Sequence, residues 1–426
     1  MARRNSWSAL STERLVAHNM TVGASTLLAG ALGFSMQAIL SHRLMPADFG
    51  VAFAVLSLLM VIWLPSNALM LVIAGATSRD LGGDRSAAVL WLWHRYLLLG
   101  GVAIGAACVI GAGWLGQIFS LPTAVFVPAA VSIPFGLAFP ILLGRLQGQQ
   151  RFSSFSVLLV GQSAIRLVAV ISSAAFMGAI GVLVGIAAGN VIVYLLALSV
   201  VGGRGADRTP APRESREALR SLAVILPGSL ALAILFGADV LLVKHFFNAG
   251  DAGRYAAVAA LGRAIFWGAS GIGVVLFPKA SLHASRGTTS FHLVIASIGI
   301  CLLGGIAGFA VLSLGAGLVL TIFAGSAYAQ AGSYLAWYAI AMTLLGAASV
   351  LVATGQARGR GDFLAILIPV TLVEPLMIVR FHQSLSQVVQ VLSLSMAVLF
   401  VGLVVLYLVQ ERARVRPRVV LAGSAA

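Results

Sequence analysis

Long apolar segments alternate with short polar ones along almost the entire chain. An apolar run of about 20 residues is long enough to cross a lipid bilayer as an α-helix. The pattern predicts twelve such spans, at about 17–40, 51–76, 93–116, 122–144, 155–177, 179–201, 221–246, 254–281, 291–313, 331–353, 362–379 and 386–409. We therefore expect an all-α integral membrane protein.

The composition supports this interpretation. Of the 426 residues, 60% are hydrophobic and 9% are charged, and the mean hydropathy is +1.02. Soluble domains carry about 25% charged residues. This difference excludes a soluble enzyme with a large core, and the first apolar run has the length of a span rather than of a cleavable signal segment.

The basic residues lie mainly on one side of the predicted membrane. With the N-terminus inside, 21 of the 27 Lys and Arg residues fall on the inner side, 4 on the outer side and 2 within spans. Cytoplasmic loops are the ones enriched in Lys and Arg. The distribution predicts cytoplasmic termini, and it accounts for the net charge of +15 without a nucleic-acid partner.

A polar segment at 203–218, rich in Pro, Gly and charge, divides the spans into six and six. We predict an N-terminal lobe at 1–202, a cytoplasmic linker at 203–218, a C-terminal lobe at 219–409 and a basic cytoplasmic tail at 410–426. At a constant offset, Asp48 matches Asp251 and Gly50 matches Gly253. An even number of spans per half gives a parallel repeat, so we expect two six-helix lobes related by a pseudo-two-fold axis, with a substrate site between them.

No chemistry-bearing motif is evident. The loops are too short for a soluble catalytic domain, and no phosphate-binding GxxxxGK[ST] sequence occurs. The chain is therefore predicted not to be an enzyme and to need no cofactor, catalytic residue or metal ligand.

Four sequence segments carry a resemblance to a known family: MPADFG after the first span, LQGQQRF after the fourth, NAGDAGRYAAVAALGRA after the seventh and VLFPKAS in the eighth. In this order they resemble the polysaccharide-transporter branch of the multidrug/oligosaccharidyl-lipid/polysaccharide exporter superfamily, which contains the O-antigen and exopolysaccharide repeat-unit flippases. The resemblance implies a bacterial inner-membrane protein that turns an undecaprenyl-pyrophosphate-linked oligosaccharide across the membrane. Membrane lipids, a polysaccharide polymerase and other assembly proteins are the further partners that it implies.

Four ionisable side chains are predicted to lie well inside spans: Arg166, Asp239, Arg263 and Glu374. Such residues usually face a protein interior or a water-filled cavity and are often functional. A guanidinium group matches phosphate oxygens with a planar fork of donors, so the arginines are candidates to bind the pyrophosphate. The alternative is that Asp239 and Arg263, on neighbouring helices, form an ion pair that only fastens those helices together.

Weaker candidates for substrate contact are the amides Gln37 and Asn67. Asn190 is a third amide of this kind. These amides are weak candidates because lone amides in membrane helices more often bond a neighbouring helix. His94 is expected to be solvated or interfacial, and Lys244 to extend toward lipid headgroups.

Three function classes follow. The first is a flippase for lipid-linked oligosaccharides that works by alternating access, without covalent chemistry. The second is a multidrug or cation antiporter of the same superfamily, which would depend on carboxylates. The third is a membrane-embedded enzyme or scaffold of polysaccharide assembly, although the outer loops are short and nearly uncharged.

Overall fold

The computed structural model describes the backbone of residues 12–80, 84–202, 212–285 and 291–422, and the side chains of residues 21–78, 87–202, 222–267 and 291–412. Residues 203–211 of the predicted linker and 423–426 of the predicted tail lie outside the described residues. All regular structure in the described part is helical. The helices are α1 (Thr12–Arg43), α2 (Pro46–Trp63), α3 (Ser66–Asp80), α4 (Asp84–Ile110), α5 (Ala112–Ile118), α6 (Phe126–Gly148), α7 (Phe152–Val201), α8 (Pro212–Phe246), α9 (Ala249–Ser285), α10 (Phe291–Ala324), α11 (Gly332–Ala357), α12 (Leu364–Arg380) and α13 (Leu385–Ala422), with short 3₁₀ turns at Thr123–Val125 and Ser326–Ala331.

The helices match the twelve predicted spans. Nine segments within the described residues are long and apolar enough to cross a membrane. One of them, α7, has 50 residues with a non-helical break at Gly178, and it covers the fifth and sixth predicted spans. The eighth and eleventh predicted spans correspond to α9 and to α12, which has 17 residues. The predicted all-α membrane fold is confirmed.

Proline explains why the second predicted span is two helices. α2 ends at Trp63 and α3 begins at Ser66, with Pro65 between them. Proline has no backbone N–H and its ring clashes with the preceding turn, so it interrupts helical hydrogen bonding. In contrast, Pro227 and Pro369 lie inside the continuous helices α8 and α12.

The chain forms two compact units, each assembled from separate stretches of sequence. Unit 1 consists of Met1–Ile39, Ser66–Gly116 and Pro122–Leu219. In it, α6 packs against α3, α4 and α7. Small residues allow this close packing: a Cβ atom at Gly101 would lie 3.0 Å from the side chain of Pro134.

Unit 2 consists of Leu40–Pro65, Gln117–Leu121 and Arg220–Ala426. Its most central helix is α11, which packs against α9, α10 and α13, while α12 packs on α13. α2 also belongs to this unit, because it packs along α9. At this contact the repeat-related Gly50 and Gly253 meet, and a Cβ atom on Gly50 would lie 3.0 Å from the Cα atom of Gly253.

Candidate functional site

An ion pair between α8 and α9 forms the centre of the polar interior of unit 2. Nη2 of Arg263 donates to Oδ1 of Asp239 at 3.0 Å. Both residues are buried, with 0% of Asp239 and 5% of Arg263 exposed. The structure therefore brings together the two residues that the sequence put forward as the main candidates.

The local sequence accounts for this meeting. The turn between the helices is at Phe247 and Asn248, and the Asn248 side chain caps α9 by accepting from the N–H of Asp251 at 2.9 Å. Helical side chains point toward the N-terminus of their own helix. The Arg263 side chain consequently extends back toward the turn, in the direction of Asp239.

Two tyrosines complete the coordination of Asp239. The hydroxyl groups of Tyr255 on α9 and Tyr338 on α11 both donate to Oδ2, each at 2.9 Å. Both tyrosines are fully buried. Hydrogen bonds to an ionised acceptor are about twice as strong as neutral ones, so this arrangement stabilises Asp239 as a carboxylate.

Arg263 also connects these helices to α2. Its Nη1 donates to the Ser57 hydroxyl at 2.9 Å. Its guanidinium carbon lies 5.1 Å from the ring centre of Phe53 on α2 and 4.7 Å from that of Phe236 on α8. Cations at such distances from aromatic faces are attracted by the ring. The Arg263 side chain on α9 thus contacts both α2 and α8. Its Nε has no hydrogen-bond partner among the described residues.

Glu374 lies in the same unit but is not part of this network. It is on α12, fully buried, and neither carboxyl oxygen has a hydrogen-bond partner in the described part of the chain. It is close enough to Asp239 for the charges of the two groups to interact. Glu374 thus lacks the hydrogen-bond donors that surround Asp239.

Arg166, the fourth ionisable candidate, belongs to unit 1. Its Nη2 donates to Oδ1 of Asn190 at 2.7 Å, across the two halves of α7. Asn190 is buried, and Gly189 beside it lets the two segments come close, since a Cβ atom there would lie 3.1 Å from the Cα atom of Arg166.

The two amide candidates are separate from these clusters. Gln37 is half-buried on α1, and its Oε1 has no hydrogen-bond partner among the described residues. Asn67 is exposed near the start of α3. Both lie in unit 1, and their predicted contact with substrate stays a prediction.

Sequence reasoning missed Ser57, Tyr255 and Tyr338. None of them carries a charge, so they did not stand out from the apolar runs. A usable signal was present for the tyrosines, because a tyrosine buried in a membrane helix needs a hydrogen-bond partner for its hydroxyl.

The expectation for Lys244 was wrong, and His94, expected to be solvated or interfacial, is not solvated. His94 is buried rather than solvated, and its Nε2 is 2.9 Å from the hydroxyl of Tyr194, with the two rings stacked at 5.7 Å. Lys244 is 3% exposed and does not extend to the surface; its charge interacts with that of Asp48. The physical reason is the same for both: helix packing covers positions that the hydropathy pattern assigns to the ends of spans.

No family model and no curated protein sequence matches this chain. Solved structures, however, share its fold. A multidrug resistance MATE family transporter of the MOP superfamily, in an inward-facing conformation, aligns over 92% of this chain and 94% of its own with a TM-score of 0.68 and 16% identity. A eukaryotic MATE transporter covers 93% of this chain and 96% of its own, with a TM-score of 0.67 and 14% identity.

The lipid II flippase MurJ, in an inward closed conformation, is also similar in structure. It covers 92% of this chain and 87% of its own, with a TM-score of 0.69 and 14% identity. The chain therefore has a fold that multidrug transporters and a lipid flippase both use.

Proposed function

We propose that this chain is a membrane transporter that moves an undecaprenyl-pyrophosphate-linked oligosaccharide across the plasma membrane by alternating access, for cell-surface polysaccharide synthesis. The observation that carries the proposal is Arg263: a buried arginine in a fold that MurJ, a lipid II flippase, also adopts. A lipid-linked pyrophosphate is an anion at the membrane surface, and recognising it inside a membrane protein requires a cation that stays charged.

Arginine meets this requirement. Its guanidinium group stays protonated in proteins and offers parallel N–H donors that match two phosphate oxygens. Two of the donor nitrogens of Arg263 are engaged by Asp239 and Ser57 here, and Nε has no partner among the described residues. In the proposed cycle the pyrophosphate takes the place of Asp239 and Ser57, and the two tyrosine hydroxyls keep Asp239 hydrogen-bonded while Arg263 is engaged.

In this reading the ion pair keeps Arg263 oriented while the site is empty. A buried ion pair is weak evidence for stability as such, because desolvation offsets most of the attraction. Arg166, a guanidinium group inside α7 that donates to Asn190 at 2.7 Å, is a second candidate for the anionic substrate, followed by Gln37 and Asn67. Glu374 is an acid and is therefore not a candidate to bind the anionic headgroup.

A multidrug or cation antiporter is the second candidate function. It is favoured by the MATE structures and by the two buried carboxyl groups Asp239 and Glu374. Against it, Asp239 is already coordinated by one arginine and two tyrosines. Enhanced resistance to cationic dyes on overexpression, lost in Asp239→Asn, would support this function over the first.

The proposed location is the bacterial inner membrane with both termini in the cytoplasm. A polysaccharide polymerase and other assembly proteins are the proposed partners. A cysteine placed at the C-terminus should react with a membrane-impermeant label only after the cells are opened. Labelling in intact cells would contradict this topology.

The test of function is leaflet exchange of a labelled lipid-linked oligosaccharide by purified protein in liposomes. We expect Arg263→Ala to abolish exchange and Arg263→Lys to restore little of it, since lysine lacks the planar fork of donors. The matched control is Arg254→Ala, which removes a partly exposed arginine of the same helix, paired only locally with Asp251 at 2.8 Å. Full exchange by Arg263→Ala at normal abundance would overturn the role of Arg263.

A separate experiment tests the alternative that the Asp239–Arg263 ion pair only holds α8 and α9 together. The double variant Asp239→Arg with Arg263→Asp keeps an ion pair between α8 and α9 but moves the cation to the other helix. If the pair only fastens helices, the exchanged pair should restore both folding and transport. We expect it to restore folding without transport.

A further inference from the structure

Glu374 is an acidic side chain in the interior of unit 2. Its residue is 0% exposed, and both carboxyl oxygens lack a hydrogen-bond partner among the described residues. On α12, Thr371 lies one helical turn before Glu374, and Pro375 comes directly after it. The Thr371 hydroxyl is turned away from it, because it donates to the carbonyl of Leu367 at 2.8 Å.

An ionised carboxylate is not stable in such a place. Moving a charge out of water without a counter-charge or donors is so costly that the group instead takes up a proton. Asp239 shows the contrasting case within the same unit, since it receives one guanidinium and two hydroxyl donors. The two buried acids of this unit therefore have opposite environments: Asp239 has a counter-charge and two donors, whereas Glu374 has no hydrogen-bond partner among the described residues.

Among the described side chains, the charge that interacts with Glu374 is negative rather than positive. Glu374 interacts electrostatically with Asp239 on α8, and Arg263 on α9 is ion-paired with Asp239. The helix packed on α12 is α13, which has no ionisable side chain from Leu385 to Leu406. The two tyrosines beside Asp239, Tyr255 and Tyr338, both donate to it, and Tyr334 on α11 is a further buried titratable group of this unit.

Lys244, a buried cation of α8, interacts with Asp48 instead. A metal ion is not a natural substitute, since no group of three or more His, Cys, Asp or Glu side chains that could hold one occurs in the described part of the chain. A single carboxyl without further oxygen ligands suits a proton better than a metal cation, which needs several oxygens around it.

We infer that Glu374 carries a proton in this conformation and is the proton-binding site of the transport cycle, exchanging that proton when a rearrangement admits water to α12. That Glu374 is protonated rests on the geometry alone. That it is the proton-binding site of the transport cycle rests on the proposed transport function. Conformations that expose Glu374 to different degrees then hold different numbers of protons. A pH difference across the membrane shifts their populations, because a ligand favours the state that binds it better.

The protonation state can be measured without any transport substrate. A protonated carboxyl group has a carbonyl-stretching infrared absorption that an ionised one lacks, and it shifts in D₂O. In a detergent free of ester groups and near neutral pH, we expect this band in the wild type and its loss in Glu374→Gln. Glu411→Gln is the matched control, since Glu411 is a buried acid ion-paired with Arg358 at 2.6 Å and should contribute nothing to the band.

A wild-type spectrum without the band, or a band that Glu374→Gln leaves unchanged, would overturn the inference. Folding of the variant is not an obstacle to the test, because glutamine has the shape of a protonated glutamate. Glu374→Gln should keep the thermal stability of the wild type, whereas Glu374→Lys should lose it. Equal stability of both variants would contradict the buried, neutral environment.

The coupling is tested in liposomes with a pH gradient and the labelled lipid-linked oligosaccharide. We expect the gradient to change the exchange rate of the wild type and not that of Glu374→Gln. Exchange by Glu374→Gln that still responds to the gradient would refute the coupling role. Absence of all exchange in the wild type would instead refute the proposed function, and the infrared result would still decide the state of Glu374.

Discussion

Replacing Asp239 by asparagine is the sharpest test of the buried network. The substitution keeps the shape of the side chain and removes its charge. Arg263, 5% exposed, then stays in the interior without a counter-charge. Removing one partner of a buried pair costs about 3–5 kcal/mol.

We expect a value near the lower end of that range. The asparagine oxygen can still accept from Tyr255 and Tyr338, whose hydroxyls donate to Oδ2 of Asp239. The aromatic rings of Phe53 and Phe236 also stay beside the guanidinium group. The expected destabilisation is therefore about 3 kcal/mol, which should appear as a clearly lower unfolding temperature.

Thermal unfolding in detergent, followed by the loss of the monodisperse peak in size-exclusion chromatography, measures this effect. The control is Asp251→Asn, which removes a partly exposed acid from an i,i+3 pair with Arg254 and should cost less than about 1 kcal/mol. If Asp239→Asn unfolds at the same temperature as Asp251→Asn, the guanidinium group of Arg263 is not buried with Asp239 as described.

Three further predictions concern the surroundings of this network. Tyr338→Phe removes one donor to Asp239 and should destabilise the protein by about 1.5–3 kcal/mol, measured by the same assay. Gly253→Ala should be destabilising, since its Cβ atom would overlap a backbone carbonyl of α2; equal stability would mean that α2 and α9 do not approach so closely. Arg358→Ala should also destabilise the protein in the same assay, because it removes the cation of a buried ion pair with Glu411 at 2.6 Å.

The spans, their number and the helical fold class could be predicted from the sequence. A bilayer requires helices of about 20 apolar residues, and this requirement acts on each segment separately. Local information therefore suffices to find them. The break at Pro65 is consistent with the missing N–H of proline, but only the structure distinguishes it from Pro227 and Pro369, which lie inside continuous helices.

The sequence also identified Asp239 and Arg263 as unusual, because a charge in an apolar run is visible without knowledge of its neighbours. It left open whether they pair with each other. The pairing depends on the rotation of α8 and α9 about their axes, and the hydropathy pattern does not specify that rotation. The same holds for His94 and Lys244, which are buried in the packed structure; His94, for example, contacts Tyr194, 100 residues away in sequence.

Only the tertiary structure decided which residues surround the pair and which acid stays alone. Ser57, Tyr255 and Tyr338 come from three helices. Ser57 lies on α2, which Gly50 and Gly253 allow to approach α9 closely. Glu374 sits on a helix that packs on α13, outside the reach of these donors. Hydropathy is a property of one segment at a time, whereas the partner of a buried polar group is a property of how several segments pack.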